Sequence, residues 1–275
     1  MSPRIEFDGQ FSPQDIFHAY YGRLYSAPFL EDTRREAVVI GTGSPGELPF
    51  YDLKPERDSY YEVGIAHQFT PGVRGYINLW RKNAQDVLDT TQIFPTPIFA
   101  VYNNTVGVAQ GIEARLDGRL NDGDTFFLST TLSNSQAAGI SGGTFLFCPT
   151  PTTGCLAGLQ DLTLQPEDHD QAYNLILDYT KRLGRDRSFY VSFEPQYGTG
   201  YPVQFQNGAQ RLAPSLIFNA SVGRDVKRGS IPAIGFVADF QNIANNAYLI
   251  KVNNGFNTTQ WAPGFRSSFR LILPF

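Results

Sequence analysis

Apolar and polar side chains alternate along most of this chain. Val73, Gly75, Ile77 and Leu79 fall on one parity, and Arg74, Tyr76, Asn78 and Trp80 on the other. Side chains in a strand have period 2, so this spacing predicts a strand with one apolar and one polar face. The same parity separates Ile112, Ala114 and Leu116 from Glu113, Arg115 and Asp117, and Phe189, Val191 and Phe193 from Ser192, Glu194 and Gln196. It sets Leu216, Phe218, Ala220 and Val222 against Ser215, Asn219 and Ser221, and Ile234, Phe236, Ala238 and Phe240 against Asp239 and Gln241. Phe269, Leu271, Leu273 and Phe275 share the final apolar face. Eleven such segments recur, near 4–11, 16–25, 58–69, 73–84, 106–119, 124–134, 170–182, 188–198, 212–224, 231–241 and 265–275. The segments 16–25 and 170–182 alternate poorly, and their facing stays open.

The connections are of two kinds, taken in strict turn. Ser12-Pro13-Gln14-Asp15, Thr70-Pro71-Gly72, Asn121-Asp122-Gly123, Gly184-Arg185-Asp186-Arg187 and Lys227-Arg228-Gly229-Ser230 have the composition of tight turns. Between them lie longer stretches near 26–57, 85–105, 135–169, 199–211 and 242–264. A soluble sandwich has no reason to collect every long loop at one end. An antiparallel outer-membrane barrel does, with short periplasmic turns and long outer loops, and strands of about 9–11 residues suffice to span the bilayer. On this reading one parity faces lipid, where a charge near the midplane costs about 2–4 kcal/mol. Glu62, Arg74, Glu113, Arg115, Glu194, Asp239 and Arg270 are therefore expected to face the lumen. With eleven strands the first and last run the same way and cannot pair antiparallel. Either the count is off by one or the sheet is part of a larger barrel.

Composition sharpens the picture. Charged residues make up 17% of the 275 residues, against about 25% in soluble domains, while 22 Phe and 14 Tyr raise the aromatic share to 14%. The longest uncharged run, Thr125–Gln160, is full of Ser, Thr, Gly and Pro and does not read as a membrane helix. A formal net charge of -4 without a basic cluster argues against nucleic acid as a partner. No export leader precedes Arg4, which for a barrel reads as truncation. Cys148 and Cys155 close the short loop Cys-Pro-Thr-Pro-Thr-Thr-Gly-Cys. A disulfide there would contribute roughly 2.5 kcal/mol in the chain-entropy model and imply an oxidising compartment. Two unpaired loop thiols are the alternative.

The ending on Phe269, Leu271, Leu273 and Phe275 resembles the terminal strand of bacterial outer-membrane barrels, which the barrel assembly machinery reads. Pro274 departs from the usual ending by removing a backbone donor. Further motifs, in order, resemble TonB-dependent outer-membrane receptors. They are Ser2-Pro3-Arg4-Ile5 with Phe17-His18-Ala19-Tyr20-Tyr21-Gly22-Arg23-Leu24, the stretch Leu53-Lys54-Pro55-Glu56 to Tyr61-Glu62-Val63-Gly64, and Asn104-Thr105-Val106-Gly107 to Gly111-Ile112-Glu113. Tyr197-Gly198-Thr199-Gly200-Tyr201-Pro202 and Phe240-Gln241-Asn242-Ile243-Ala244-Asn245 complete the series. The resemblance covers essentially the whole chain. It implies an all-β fold, with residues 1–275 as the C-terminal half, about eleven strands, of a 22-stranded barrel. It also implies energised uptake of a nutrient, a bacterial outer-membrane location, and three partners: lipid, the missing N-terminal barrel half with its plug, and an inner-membrane energy-coupling protein reached through that plug.

Catalytic chemistry has little to stand on, and the chain is read as a non-enzyme without cofactor or metal. Of three histidines, His18 and His67 fall at the turn end, where an interfacial ring explains them. His169 sits in Glu167-Asp168-His169-Asp170, the one stretch with metal-binding or acid–base composition, which equally suits a solvated loop base. Phe94, Phe99, Tyr102, Phe205 and Trp261 are loop aromatics suited either to gripping a solute or to packing the loops. Tyr60, Tyr61, Tyr173, Tyr179 and Phe69 read as interfacial girdle. Two other readings remain: a small complete barrel acting as an enzyme or passive pore, and a soluble surface-binding β-domain.

Overall fold

The computed structural model describes residues 2–29, 50–51, 53–92, 99–120, 123–144, 160–203, 210–226, 234–254 and 258–273. All regular structure among them is β. Eleven strands follow one another in a single antiparallel path: β1 (Arg4–Gln10), β2 (Asp15–Ser26), β4 (Glu56–Thr70), β5 (Val73–Gln92), β6 (Phe99–Arg119), β7 (Thr125–Ala138), β10 (Tyr173–Leu183), β11 (Phe189–Gly198), β12 (Ser215–Arg224), β13 (Gly235–Gln241) and β16 (Arg266–Ile272). Short strands β3 (Phe50–Tyr51), β8 (Gly142–Thr144) and β9 (Gln165–Pro166) attach at the long-loop end, and β14 (Leu249–Asn254) pairs with β15 (Thr258–Trp261) as a separate hairpin. Each strand of the path pairs with its neighbours in sequence, so tight turns collect at one end and long connections at the other. The outer edges of β1 and β16 have no partner strand among the described residues.

The expected long loop at 85–105 is instead mostly strand. β5 and β6 run on together, with Val87 opposite Asn104 and Gln92 opposite Phe99. Periodicity misses this because Asp86 takes a left-handed backbone (φ 54°) and interrupts the alternation. The side chain of Asn103, fully buried, repairs the break. It donates to the carbonyls of Lys54 and Asp86 at 2.9 and 2.7 Å and accepts from the Lys54 amide at 2.8 Å. Residues 121–122 of the expected turn 121–123 and the whole of the expected turn 227–230 lie outside the described residues, as do Cys148, Cys155 and Phe275.

Burial is inverted relative to a water-soluble sheet. Along β4, Glu56, Asp58 and Gly64 are buried while Tyr61, Val63 and Ile65 are exposed. In β11, Phe189, Val191 and Phe193 are exposed, and Tyr190, Ser192 and Glu194 between them are partly covered. The apolar face continues through Ile77, Leu79, Ile112, Leu132, Leu216 and Phe269, all more than two-fifths exposed. A half-exposed Ile, Leu or Phe leaves about 1 kcal/mol of transfer free energy unrealised. Over the whole face the shortfall is on the order of 20 kcal/mol, more than the roughly 5–15 kcal/mol that holds a domain folded. Water is not the solvent this face is built for.

The turn end is fastened by polar contacts. Ser12 Oγ accepts from the amides of Gln14 and Asp15, both at 3.1 Å, which closes the first turn. Asp124, just before β7, accepts from Lys181 Nζ (2.7 Å), the Tyr179 hydroxyl (2.9 Å) and the Arg182 amide (2.8 Å). The Lys181 ammonium, followed by the amide and the hydroxyl, holds its carboxyl down at about 2. Lys181 therefore stands at the edge of the apolar face with its charge turned to a partner.

Candidate functional site

The ladder registers bring Glu62, Arg74, Glu113, Arg115, Glu194, Asp239 and Arg270 onto one face of the sheet. Two adjacent rows cross its middle. One reads Glu6–Tyr20–Glu62–Trp80–Gly111–Ser133, and the next Asp8–His18–Gly64–Asn78–Glu113–Thr131–Asn174–Gly198. Four carboxylates stand on these rows and no Lys or Arg does. Glu62 is held from two sides: His18 Nε2 lies 2.8 Å from Oε1, and the Tyr60 hydroxyl donates to Oε2 at 2.6 Å. The Tyr20 and Tyr60 rings lie 6.0 Å apart beside them. Gly64 makes the space, because a Cβ there would stand 2.1 Å from Asn78 Oδ1 and 2.4 Å from His18 Cε1.

Cations flank the belt above and below. Toward the long loops, Lys82 Nζ reaches Glu56 Oε1 at 3.0 Å and Asp58 Oδ2 at 4.0 Å, and Glu56 Oε2 accepts from the Leu88 amide at 2.9 Å. Toward the turns, Arg74 and Arg115 both place Nε on Asp117, at 3.3 and 3.2 Å, and Arg115 lies 5.2 Å over the Phe127 ring. A cleft of about 470 Å³ opens here, lined by Arg74, Arg115, Arg119, Asp117 and Asp178. On the far strands Glu194 Oε1 accepts from Asn219 (2.8 Å) and Gln196 (2.6 Å), and Arg270 lies 3.5 Å from Asp239. The polar face is thus a lattice of cross-strand pairs rather than a set of isolated charges.

Several expectations resolve differently. His18 is not an interfacial ring, since its register places it on the polar face against Glu62. Tyr60 leaves the girdle for the same reason, whereas Tyr61, Tyr173, Tyr179 and Phe69 keep to the apolar face. His67 stays on the apolar face at the turn end, hydrogen-bonded to Asp15 at 2.7 Å. The stretch 167–170 disperses: Glu167 accepts from Ser135, Asp168 meets Lys251 and the exposed His169, each at 2.5 Å, and Asp170 pairs with Arg211. Among the described residues no group of three or more His, Cys, Asp or Glu is placed to hold a metal ion. Tyr102 turns its hydroxyl to Asp89 at 2.7 Å, and Trp261 is exposed on β15. Phe94 and Phe205 lie outside the described residues. The sequence reading missed Lys82, Asp58 and Asn103. Lys82 and Asp58 lie within the alternating segments 58–69 and 73–84, whereas Asn103 lies in the stretch 85–105, expected as a long connection.

No family model matches the chain, and no curated protein does. Solved structures do. The copper transporter OprC aligns at TM-score 0.67 and 12% identity, over 98% of this chain and 38% of that one. The outer-membrane transporter YddB from Escherichia coli aligns at 0.64 and 12%, over 98% and 40%. The ferripyoverdine receptor of the Pseudomonas aeruginosa outer membrane aligns at 0.63 and 11%, over 98% and 32%. The chain spans between 32% and 40% of the length of these proteins. Its fold is that of the barrel wall of TonB-dependent outer-membrane receptors.

Proposed function

We propose that this chain is the C-terminal half of the barrel of a TonB-dependent outer-membrane receptor, which takes up a scarce nutrient at the expense of inner-membrane energy. One observation carries the reading: the sheet exposes its apolar side chains and knits its polar ones together. Lipid is the solvent that makes such a face favourable, and a water-filled or protein-filled interior suits the other. β1 and β16 run in the same direction, so these two edges cannot close antiparallel. An odd number of further strands closes the wall, which disfavours a small complete barrel. The remaining half, a plug domain and the energy-coupling protein that pulls on it are the partners this reading requires, and the assembly machinery inserts the product. Copper and ferripyoverdine, named for the similar structures, support a metal ion or a metal chelate as the class of cargo.

The test is topological. With Cys148 and Cys155 replaced by Ser, single cysteines are placed at Ser141, on the long-loop side, and at Thr70, on the turn side. The protein is expected in the outer-membrane fraction. In intact cells a membrane-impermeant maleimide is expected to label position 141, and to reach position 70 only after the outer membrane is permeabilised. Equal labelling of both in intact cells, or recovery of folded protein in the soluble fraction, overturns the proposal.

A further inference from the structure

On the apolar face near the turn end, strands β4 to β7 do not present a level surface. Gly75 and Ala114 lie diagonally across the β5–β6 ladder, where Gly75 faces Leu116 and Ala114 faces Ile77. With almost no side chain at these two positions, the surface sinks into a groove of about 250 Å³ walled by Ile65, Phe69, Leu116 and Leu128. The depression depends on glycine: a Cβ on Gly75 would stand 3.1 Å from the Phe69 ring and 3.3 Å from Leu116 Cδ1. The groove is continuous with the exposed apolar face around it. His67, directly opposite Gly75 on the β4–β5 ladder, is itself part of the groove wall and carries a polar pair, its Nδ1 on Asp15 Oδ1 at 2.7 Å, with the His67 ring edge-on to Phe69 at 4.6 Å. The Ser12 hydroxyl completes the pair by donating to Asp15 Oδ2 at 2.6 Å. A trough of hydrocarbon bordered on its β4 side by a hydrogen-bonding pair matches a molecule with a long tail and a polar head.

We infer that this groove is a binding site for one phospholipid, its acyl chain seated along Gly75 and Ala114 and its head beside His67 and Asp15. The inference rests on the apolar face being the lipid-facing one, and the test separates the two. The protein is reconstituted into phosphatidylethanolamine vesicles doped with an analogue bearing a photoactivatable diazirine in its acyl chain. Label is then mapped by peptide mass spectrometry. Segments 65–77 and 114–128 are expected to take up several-fold more label than the equally apolar segments 189–193 and 216–222. Gly75→Leu, which fills the groove from β5, and Ala114→Leu, which fills it from β6, are each expected to bring the labelling down to that of the other segments. Even labelling across the apolar face, or enrichment that survives both substitutions, overturns the site and leaves the lipid-facing reading intact. Label appearing on polar-face side chains as much as on apolar ones overturns both.

Discussion

Gly64 leaves open the space in which His18 and Asn78 lie across the middle of the polar face, and Glu62 receives its two donors beside that space. Packing there is tight enough that the smallest addition is felt. Gly64→Val is expected to cost about 1–3 kcal/mol as the displaced rings seek new rotamers. Ala19→Val, on the opposite, apolar face, is expected to change stability by about 0.5 kcal/mol or less. The midpoint of urea unfolding in vesicles distinguishes the two. Residues at this scale were partly legible in the sequence. Parity alone placed Glu62, Arg74, Glu113 and Arg115 on one face. It did not reveal that Glu62 is held by His18, because that partner depends on the register between β2 and β4, which period 2 leaves undetermined.

At the scale of the element, β7 and β10 are joined at the turn end by Asp124. Its carboxyl is held at about 2 against an ordinary 3.8, so the folded state prefers the ionised form. A depressed carboxyl contributes stability that is complete above about pH 4 and lost as pH falls through 2. Amides at the start of β7 and the end of β10 are therefore expected to exchange slowly above pH 4 and progressively faster toward pH 2, on top of the intrinsic pH trend. Asp124→Asn should show fast exchange relative to wild type at pH 5 and no such transition below it. Hydrogen exchange followed by mass spectrometry reads both. The same contact explains why 170–182 alternates poorly. Lys181 has apolar parity but finds its partner at the rim, while Ile176 has polar parity. β2 is irregular for a related reason, since Tyr20 presents an aromatic ring to the polar side and Asp15 a carboxylate to the apolar one. The extension of β5 and β6 was illegible because one left-handed residue, Asp86, breaks the alternation where the strands leave the wall.

For the whole molecule the decisive quantity is the solvent of each face. Ile77→Arg places a charge among apolar neighbours and is expected to destabilise the reconstituted protein by about 2–4 kcal/mol if they meet lipid. Thr131→Lys, beside Glu113 on the polar face, is expected to stay within about 0.5 kcal/mol. Equal, small effects from the two substitutions, measured by unfolding in vesicles, mean that the apolar face is not in contact with hydrocarbon. The eleven-strand count and the sorting of short and long connections were legible because a membrane-spanning wall imposes the same period on every strand. The arrangement around the long-loop end was not, because Asn103, Lys54 and Ser141 meet there through backbone geometry rather than through any repeating pattern.

Every strand of the main path but the two at its edges hydrogen-bonds to the path strand before it and the path strand after it. Contacts made only between successive segments close short loops, so the entropic toll of each new ladder is small and does not grow with the number already laid down. Such a sheet can lengthen one hairpin at a time, like rows added to knitting, with each finished row serving as the template for the next. Work stopped at any row leaves a narrower fabric in the correct register, with a live edge from which growth can resume.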